Sequence, residues 1–339
     1  MSPIEARFYQ KLDEGKVKCL LCPHGCVIAP GRSGICRVRE NRDGILYAST
    51  YGLVSSVALD PIEKKPLFHV DPGSYLLSIG SYGCNFSCEF CQNWQISQER
   101  PELYEATPEK IVDMALDQKD RRPNVTGIAY TYNEPTIWME FVLDCAKLAK
   151  RQGLRNVLVT NGFISRDALE EALLYVDALN IDVKAWTEGF YRDIVHGRLS
   201  PVVETVERAK EKAWVEVTYL VVPGENDRDE DVRGLSQWLA RLDPAIPLHL
   251  SRYFPAYRFR RPATPIETLE RLRKVALERL HYVYIGNAWK KGYADTVCPE
   301  CKTVLLERGG LELERSHLSD ASCPTCGRRL EMVGRVWAG

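Results

Sequence analysis

Residues 74–91 read SYLLSIGSYGCNFSCEFC: an apolar, strand-like run that passes into three cysteines, Cys84, Cys88 and Cys91, spaced C-x3-C-x2-C. It is the first of seven β-rich segments. GIAYTY (127–132), NVLVTNG (156–162), ALNIDVKA (178–185), WVEVTYLVV (214–222), PLHLSRYF (247–254) and YVYIGNA (282–288) follow it. Between them lie stretches with helical periodicity, among them PEKIVDMALDQK (108–119), SRDALEEALLYV (165–176) and PIETLERLRKVALERL (265–280). Such alternation builds βαβ units and a parallel sheet, open or curled into a barrel. Before it, ILYASTYGLVSSVAL (45–59) reads as short strands with glycine turns, and past residue 293 the rhythm stops. The expected parts are 1–72, 73–292 and 293–339.

The chain has 339 residues, 45% hydrophobic and 27% charged, with a formal net charge of -1. That balance gives no global reason to bind nucleic acid. Neither a signal-peptide core nor a membrane-length apolar run is apparent, so a cytoplasmic address and no membrane partner are expected. Cysteine is the unusual residue. Eleven of the twelve fall into three tight groups, and Cys145 alone lies on the apolar face of a helix, where a buried structural thiol is expected. In a cytosolic chain, clustered thiols point to metal rather than to disulfides.

Cys84, Cys88 and Cys91 supply three thiolates where a cubane iron–sulfur cluster normally takes four. Three ligands leave one iron open, and an open position marks a catalytic rather than a structural site. S-adenosylmethionine can chelate such an iron through its amino and carboxylate groups. Phe90 gives the loop an apolar wall. The competing reading is a zinc site completed by His24 or His69.

These features resemble the radical SAM superfamily. Asn133-Glu134-Pro135 stands where that superfamily has a Gly-Gly-Glu-Pro-like turn for the cofactor's amino group, with Tyr132-Asn133 replacing the glycines. Thr160-Asn161-Gly162, Asp182-Val183-Lys184 and Val221-Val222-Pro223-Gly224 are similar to motifs of glycyl-radical-enzyme activases, including pyruvate formate-lyase activating enzyme. Cys84, Glu134, Asn161, Asp182, Gly224 and His249 are all expected near the C-terminal ends of successive strands, where parallel α/β barrels place active sites. The resemblance implies a partial (β/α)6-type radical SAM barrel. In it Cys84, Cys88 and Cys91 hold a [4Fe–4S] cluster that cleaves S-adenosylmethionine to a 5′-deoxyadenosyl radical. By the same resemblance Phe90, Asn133, Glu134, Thr160, Asn161, Asp182, Lys184, His249 and Arg252 contact cofactor or substrate, and a flavodoxin- or ferredoxin-type protein donates electrons. Over nearly the whole chain, CLLCPHGC (19–26), DPIEKKPL (60–67), CQNW (91–94) and the terminal CPEC and CPTCG resemble the AmmeMemoRadiSam-system radical SAM enzymes. That family's name implies AMMECR-type and Memo-type partner proteins.

Cys298-x2-Cys301-x21-Cys323-x2-Cys326 has the spacing of a zinc ribbon, whose metal substitutes for a hydrophobic core, and the same ligands fit a rubredoxin-like iron site. Cys19-x2-Cys22-x3-Cys26-x9-Cys36 fits structural zinc and also an auxiliary iron–sulfur cluster. Nothing in that segment marks an open position, so structural zinc is expected. A non-catalytic multi-zinc scaffold or RNA-binding protein is the alternative function.

Overall fold

The computed structural model describes residues 3–338. An eight-stranded sheet dominates it, with strands β1 (Ser56–Pro61), β2 (Tyr75–Gly80), β3 (Val125–Tyr130), β4 (Arg155–Thr160), β5 (Ala178–Asp182), β6 (Trp214–Val221), β7 (Leu248–Arg252) and β8 (Val283–Gly286). Their spatial order is their chain order. Every pair from β2 to β8 is parallel, and β1 adds one antiparallel edge strand. All seven strands read from the sequence therefore exist and neighbour one another as βαβ alternation demands. The segment 45–59 also forms short strands, the last of which, β1, joins this sheet through its hairpin with β2.

The crossover helices are α1 (Pro108–Arg121), α2 (Met139–Arg151), α3 (Arg166–Ala172), α4 (Leu199–Lys212), α5 (Asp229–Leu242) and α6 (Ile266–Leu277). Each buries one apolar stripe on the sheet. Helix α1 starts where Thr107 accepts a hydrogen bond from the Lys110 amide at 3.2 Å, with Pro108 pre-set at the first helical position. Helix α2 is enclosed on most sides, and Cys145 within it is fully buried, as its place on the apolar face predicts. No helix among the described residues is long and apolar enough to cross a membrane.

Two small three-stranded antiparallel sheets form the N-terminal segment, one from Tyr9–Lys11, Val17–Cys19 and Val27–Ile28 and one from Ile4–Glu5, Arg39–Arg42 and Ile45–Ala48. A buried ion pair locks this segment onto α2. Both terminal nitrogens of Arg39 reach Glu140, at 2.9 and 2.6 Å, and both side chains are 1% exposed. The C-terminal segment holds Thr296–Val297, Val304–Gly309 and Glu312–Ser316 and has a small core of Leu305, Leu306, Leu313 and Leu330. Arg308 pins it to the 61–71 segment, donating to the Phe68 carbonyl at 2.7 Å and pairing with buried Glu63 at 3.3 Å.

Candidate active site

The strand ends open on a cavity of about 550 Å³. The loop after β2 brings Cys84, Cys88, Phe90 and Cys91 to it. The turn after β3 brings Asn133 and Glu134, the end of β4 brings Thr160 and Asn161, and the end of β5 brings Asp182 and Lys184. Parallel strands in one sheet end on one side, so residues more than ninety positions apart in sequence become neighbours.

Burial pushes the Cys88 thiol up to about 12, against the pull of the Lys184 ammonium. Burial, reinforced by the Glu134 carboxylate, drives Cys84 well above the ordinary thiol range. Thiols so placed stay protonated unless a cation takes the proton's place. Lys184 donates to Asp182 at 2.7 Å; burial alone would lower its pKa, but Asp182 and Cys88 outweigh burial and raise it. The ammonium stays charged at the cavity wall.

Glu134 braces the scaffold from the cavity wall. Its carboxylate accepts from the Thr136 amide (2.9 Å), the Thr160 hydroxyl (2.6 Å) and the Asn161 amide (2.8 Å), while burial raises its pKa. Asn133 ties the cysteine loop to the end of β3, accepting from the Ser81 amide and donating to the Gly83 carbonyl. Tyr132, standing for a glycine in the resembling turn, takes the left-handed φ of 69° that usually favours glycine. It is held there by a 2.5 Å hydrogen bond to Asp60 and by the Lys65 ammonium 4.6 Å over its ring. Asn161 donates to Asn85 at 2.8 Å and lies 3.7 Å from the Cys84 sulfur, so the β4 turn braces the loop directly.

Two expected contacts lie elsewhere. His249 is only the second residue of β7, so it sits deep under the sheet's rim, bound to Glu216 at 2.7 Å. Arg252 donates to the Thr264 carbonyl and covers the Phe254 ring. Neither lines the cavity. The histidines offered as zinc ligands are engaged too. His24 bonds the Asn85 carbonyl, and both ring nitrogens of His69 are taken, by the Glu331 carbonyl and the Tyr284 hydroxyl.

The cavity also draws on Ser251, inside the expected His249–Arg252 contact segment, and on residues to which the sequence assigned no role: Lys64, Lys65, Pro66, Thr218 and Asn287. Lys64 and Lys65 lie in the DPIEKKPL stretch, and both pair with Asp60, at 2.8 and 2.7 Å. Its charge pattern was the available clue. A second cavity of about 460 Å³ shares Lys64, Pro66, Thr218, Ser251 and Asn287 with the first and runs between β7, β8 and the C-terminal segment. His249 lines that one, and at its mouth Trp289 is 74% exposed.

The four C-terminal thiols converge: Cys298 and Cys326 are 3.6 Å apart, Cys301 and Cys323 3.4 Å, and all four lie within 4.8 Å of one another. Among the described residues no other three His, Cys, Asp or Glu side chains do so. Cys84, Cys88 and Cys91 instead line the cavity at the strand ends together. Cys19, Cys22, Cys26 and Cys36 together line a separate small cavity.

The profile of the Radical SAM superfamily matches residues 78–235. The uncharacterised protein MJ0808 of Methanocaldococcus jannaschii is 44% identical over 338 residues, 97% of this chain and 99% of its own. The pyruvate formate-lyase-activating enzyme of Streptococcus mutans is 26% identical over 209 residues, 58% of this chain and 75% of that enzyme. Among solved structures, SuiB of Streptococcus suis has a TM-score of 0.50 at 11% identity, over 62% of this chain and 48% of its own, a likeness of fold alone.

Proposed function

We propose that the chain, whose residues 78–235 match the Radical SAM superfamily, is a radical SAM enzyme abstracting hydrogen from a substrate at the cavity walled by Cys84, Cys88 and Cys91. When bound there, a [4Fe–4S] cluster and S-adenosylmethionine supply the one-electron reductive cleavage that yields methionine and the 5′-deoxyadenosyl radical. The observation that carries the reading is the meeting of three thiols with Asp182, Lys184, Asn133, Glu134, Thr160 and Asn161 around one cavity.

The chain's own groups divide the work. Cys84, Cys88 and Cys91 hold the cluster, and Phe90, buried against Phe190 and Phe259, keeps water from it. Lys184 offers a fixed positive charge for a carboxylate and Asp182 an acceptor for hydroxyls. Glu134 and Asn133 are positioning residues that fix the β3 and β4 turns against the cysteine loop. Substrate reaches the chamber through the second cavity, past Trp289 and along Ser251 and Asn287.

In this reading the sheet is a partial barrel spanning 73–292 with β1 contributed by the preceding module, and 293–339 is a zinc ribbon capping its open side. A flavodoxin- or ferredoxin-type donor supplies electrons; AMMECR-type and Memo-type proteins are the partners to screen. His249 and Arg252 act outside the cofactor chamber. The likeness to pyruvate formate-lyase activases makes a protein-bound glycine one substrate to test.

The test replaces Cys84, Cys88 and Cys91 with Ala and measures 5′-deoxyadenosine formed anaerobically from S-adenosylmethionine under dithionite. The wild type should form it and the folded variant should not. A variant that still forms it, or a colourless wild type carrying only zinc, sinks the proposal in favour of a multi-zinc scaffold.

A further inference from the structure

Two four-cysteine groups in one chain differ in geometry. The C-terminal sulfurs pair at 3.6 and 3.4 Å. That is close to the ~3.8 Å edge of a tetrahedron with Zn–S bonds of about 2.3 Å. Cys19, Cys22, Cys26 and Cys36 surround one cavity, yet no three of their sulfurs lie mutually within 4.8 Å. Thiolates on separate corners of a cubane stand farther apart than thiolates sharing one ion.

A second observation points into the same cavity. Arg39 lines it and is fully buried; its two terminal nitrogens are taken by Glu140, and its Nε–H has no acceptor. A buried donor without a partner is costly, and thiolate or sulfide sulfur beside it would accept the proton.

The third observation is adjacency. Asn85 lines this cavity and is covalently next to Cys84. His24, between Cys22 and Cys26, bonds the Asn85 carbonyl at 2.8 Å, and Asn161 bridges the Asn85 side chain and the Cys84 sulfur. On the outside, Leu20, Val27 and Ile35, each next to one of the four cysteines, are 40%, 60% and 57% exposed. The four thiols therefore stand between solvent and the loop of Cys84.

We infer that Cys19, Cys22, Cys26 and Cys36 hold a second [4Fe–4S] cluster, ligated by protein at all four corners, that passes electrons to the site at Cys84, Cys88 and Cys91. A low-potential one-electron donor reduces it by one electron, and it returns to its resting state on passing that electron inward. No bond is made or broken. The zinc expected from the sequence is thereby replaced. The relay rests on the proposed function; the cluster itself does not.

The test uses the full chain, produced and purified anaerobically, with iron, sulfide and zinc counted. The wild type should hold about eight irons and about one zinc. The Cys84→Ala/Cys88→Ala/Cys91→Ala variant should keep about four irons and a reduced-cluster EPR spectrum that S-adenosylmethionine leaves unchanged. Four irons and two zincs in the wild type, with none left in the triple variant, would overturn the second cluster while leaving the first site intact. Conversely, full 5′-deoxyadenosine formation by the triple variant would overturn the catalytic site and leave the second cluster standing. For the relay, Cys26→Ala/Cys36→Ala should slow flavodoxin-driven cleavage at least tenfold and keep the S-adenosylmethionine-sensitive EPR signal. An unchanged rate refutes the relay. The wild-type count requires no variant, so a misfolded mutant leaves the inference testable.

Discussion

Replacing Glu140 with Ala should destabilise the protein more than any exposed charge change. Glu140 accepts three hydrogen bonds, two from Arg39 and one from the Arg7 amide at 3.0 Å, and it is 1% exposed. Its removal leaves the buried Arg39 guanidinium without the carboxylate that takes both its terminal nitrogens. Breaking one side of a buried pair costs about 3–5 kcal/mol. The exposed Arg121–Asp117 pair, by contrast, contributes well under about 1 kcal/mol. A double replacement, Arg39→Met/Glu140→Leu, removes both charges and should recover most of the loss, because an apolar pair of similar volume avoids desolvation. The pH dependence has a definite sign. Burial raises the Glu140 pKa, but Arg39 outweighs it and the net shift is downward. The pair's contribution is therefore complete above the ordinary Glu value of 4.5 and fades as pH falls through the lowered folded value. Urea unfolding of the metal-stripped chain at neutral and acid pH measures all of this. A loss below about 1 kcal/mol at neutral pH, or a double variant no more stable than Glu140→Ala, would refute the argument.

Replacing buried Cys298 with Ser should remove the metal bound at the C-terminal four-thiol site, zinc in the proposed reading, and open residues 293–338 to limited proteolysis; a metal content unchanged from the wild type would count against the four-thiolate site. Gly197→Ala would put a methyl 2.3 Å from the Phe86 ring, inside the loop between Cys84 and Cys88. Overpacking there costs about 1–3 kcal/mol and should displace the loop, lowering iron content and 5′-deoxyadenosine yield together. Unchanged iron with unchanged yield would show that the ring can yield.

The sequence by itself determined the local features. Seven β-rich runs alternating with amphipathic helices specify parallel pairing, because a short-range period reports which face of each element is buried. The C-x3-C-x2-C loop and each terminal C-x2-C pair are equally local, since a few residues of spacing set which neighbouring thiols can face one site. Thr160, Asn161, Asp182 and Lys184 were legible from motifs placed at strand ends. Tertiary structure alone decided the rest. His249 looked like a rim residue because it follows apolar residues in a strand, but the strand's starting point places it beneath the rim, bound to Glu216. Lys64, Lys65, Ser251 and Asn287 enter the cavity only because the sheet brings the edges near β1 and β8 around the same space. The first four-cysteine group, spaced x2, x3 and x9, fits zinc and iron–sulfur alike, so sequence left both open there. Only the fold brings the four C-terminal thiols within 4.8 Å of one another, and only the fold places Arg39 and Asn85 at the cavity of the first group. Ligand spacing along a chain bounds how near thiols can come; how near they do come is fixed by what packs behind them.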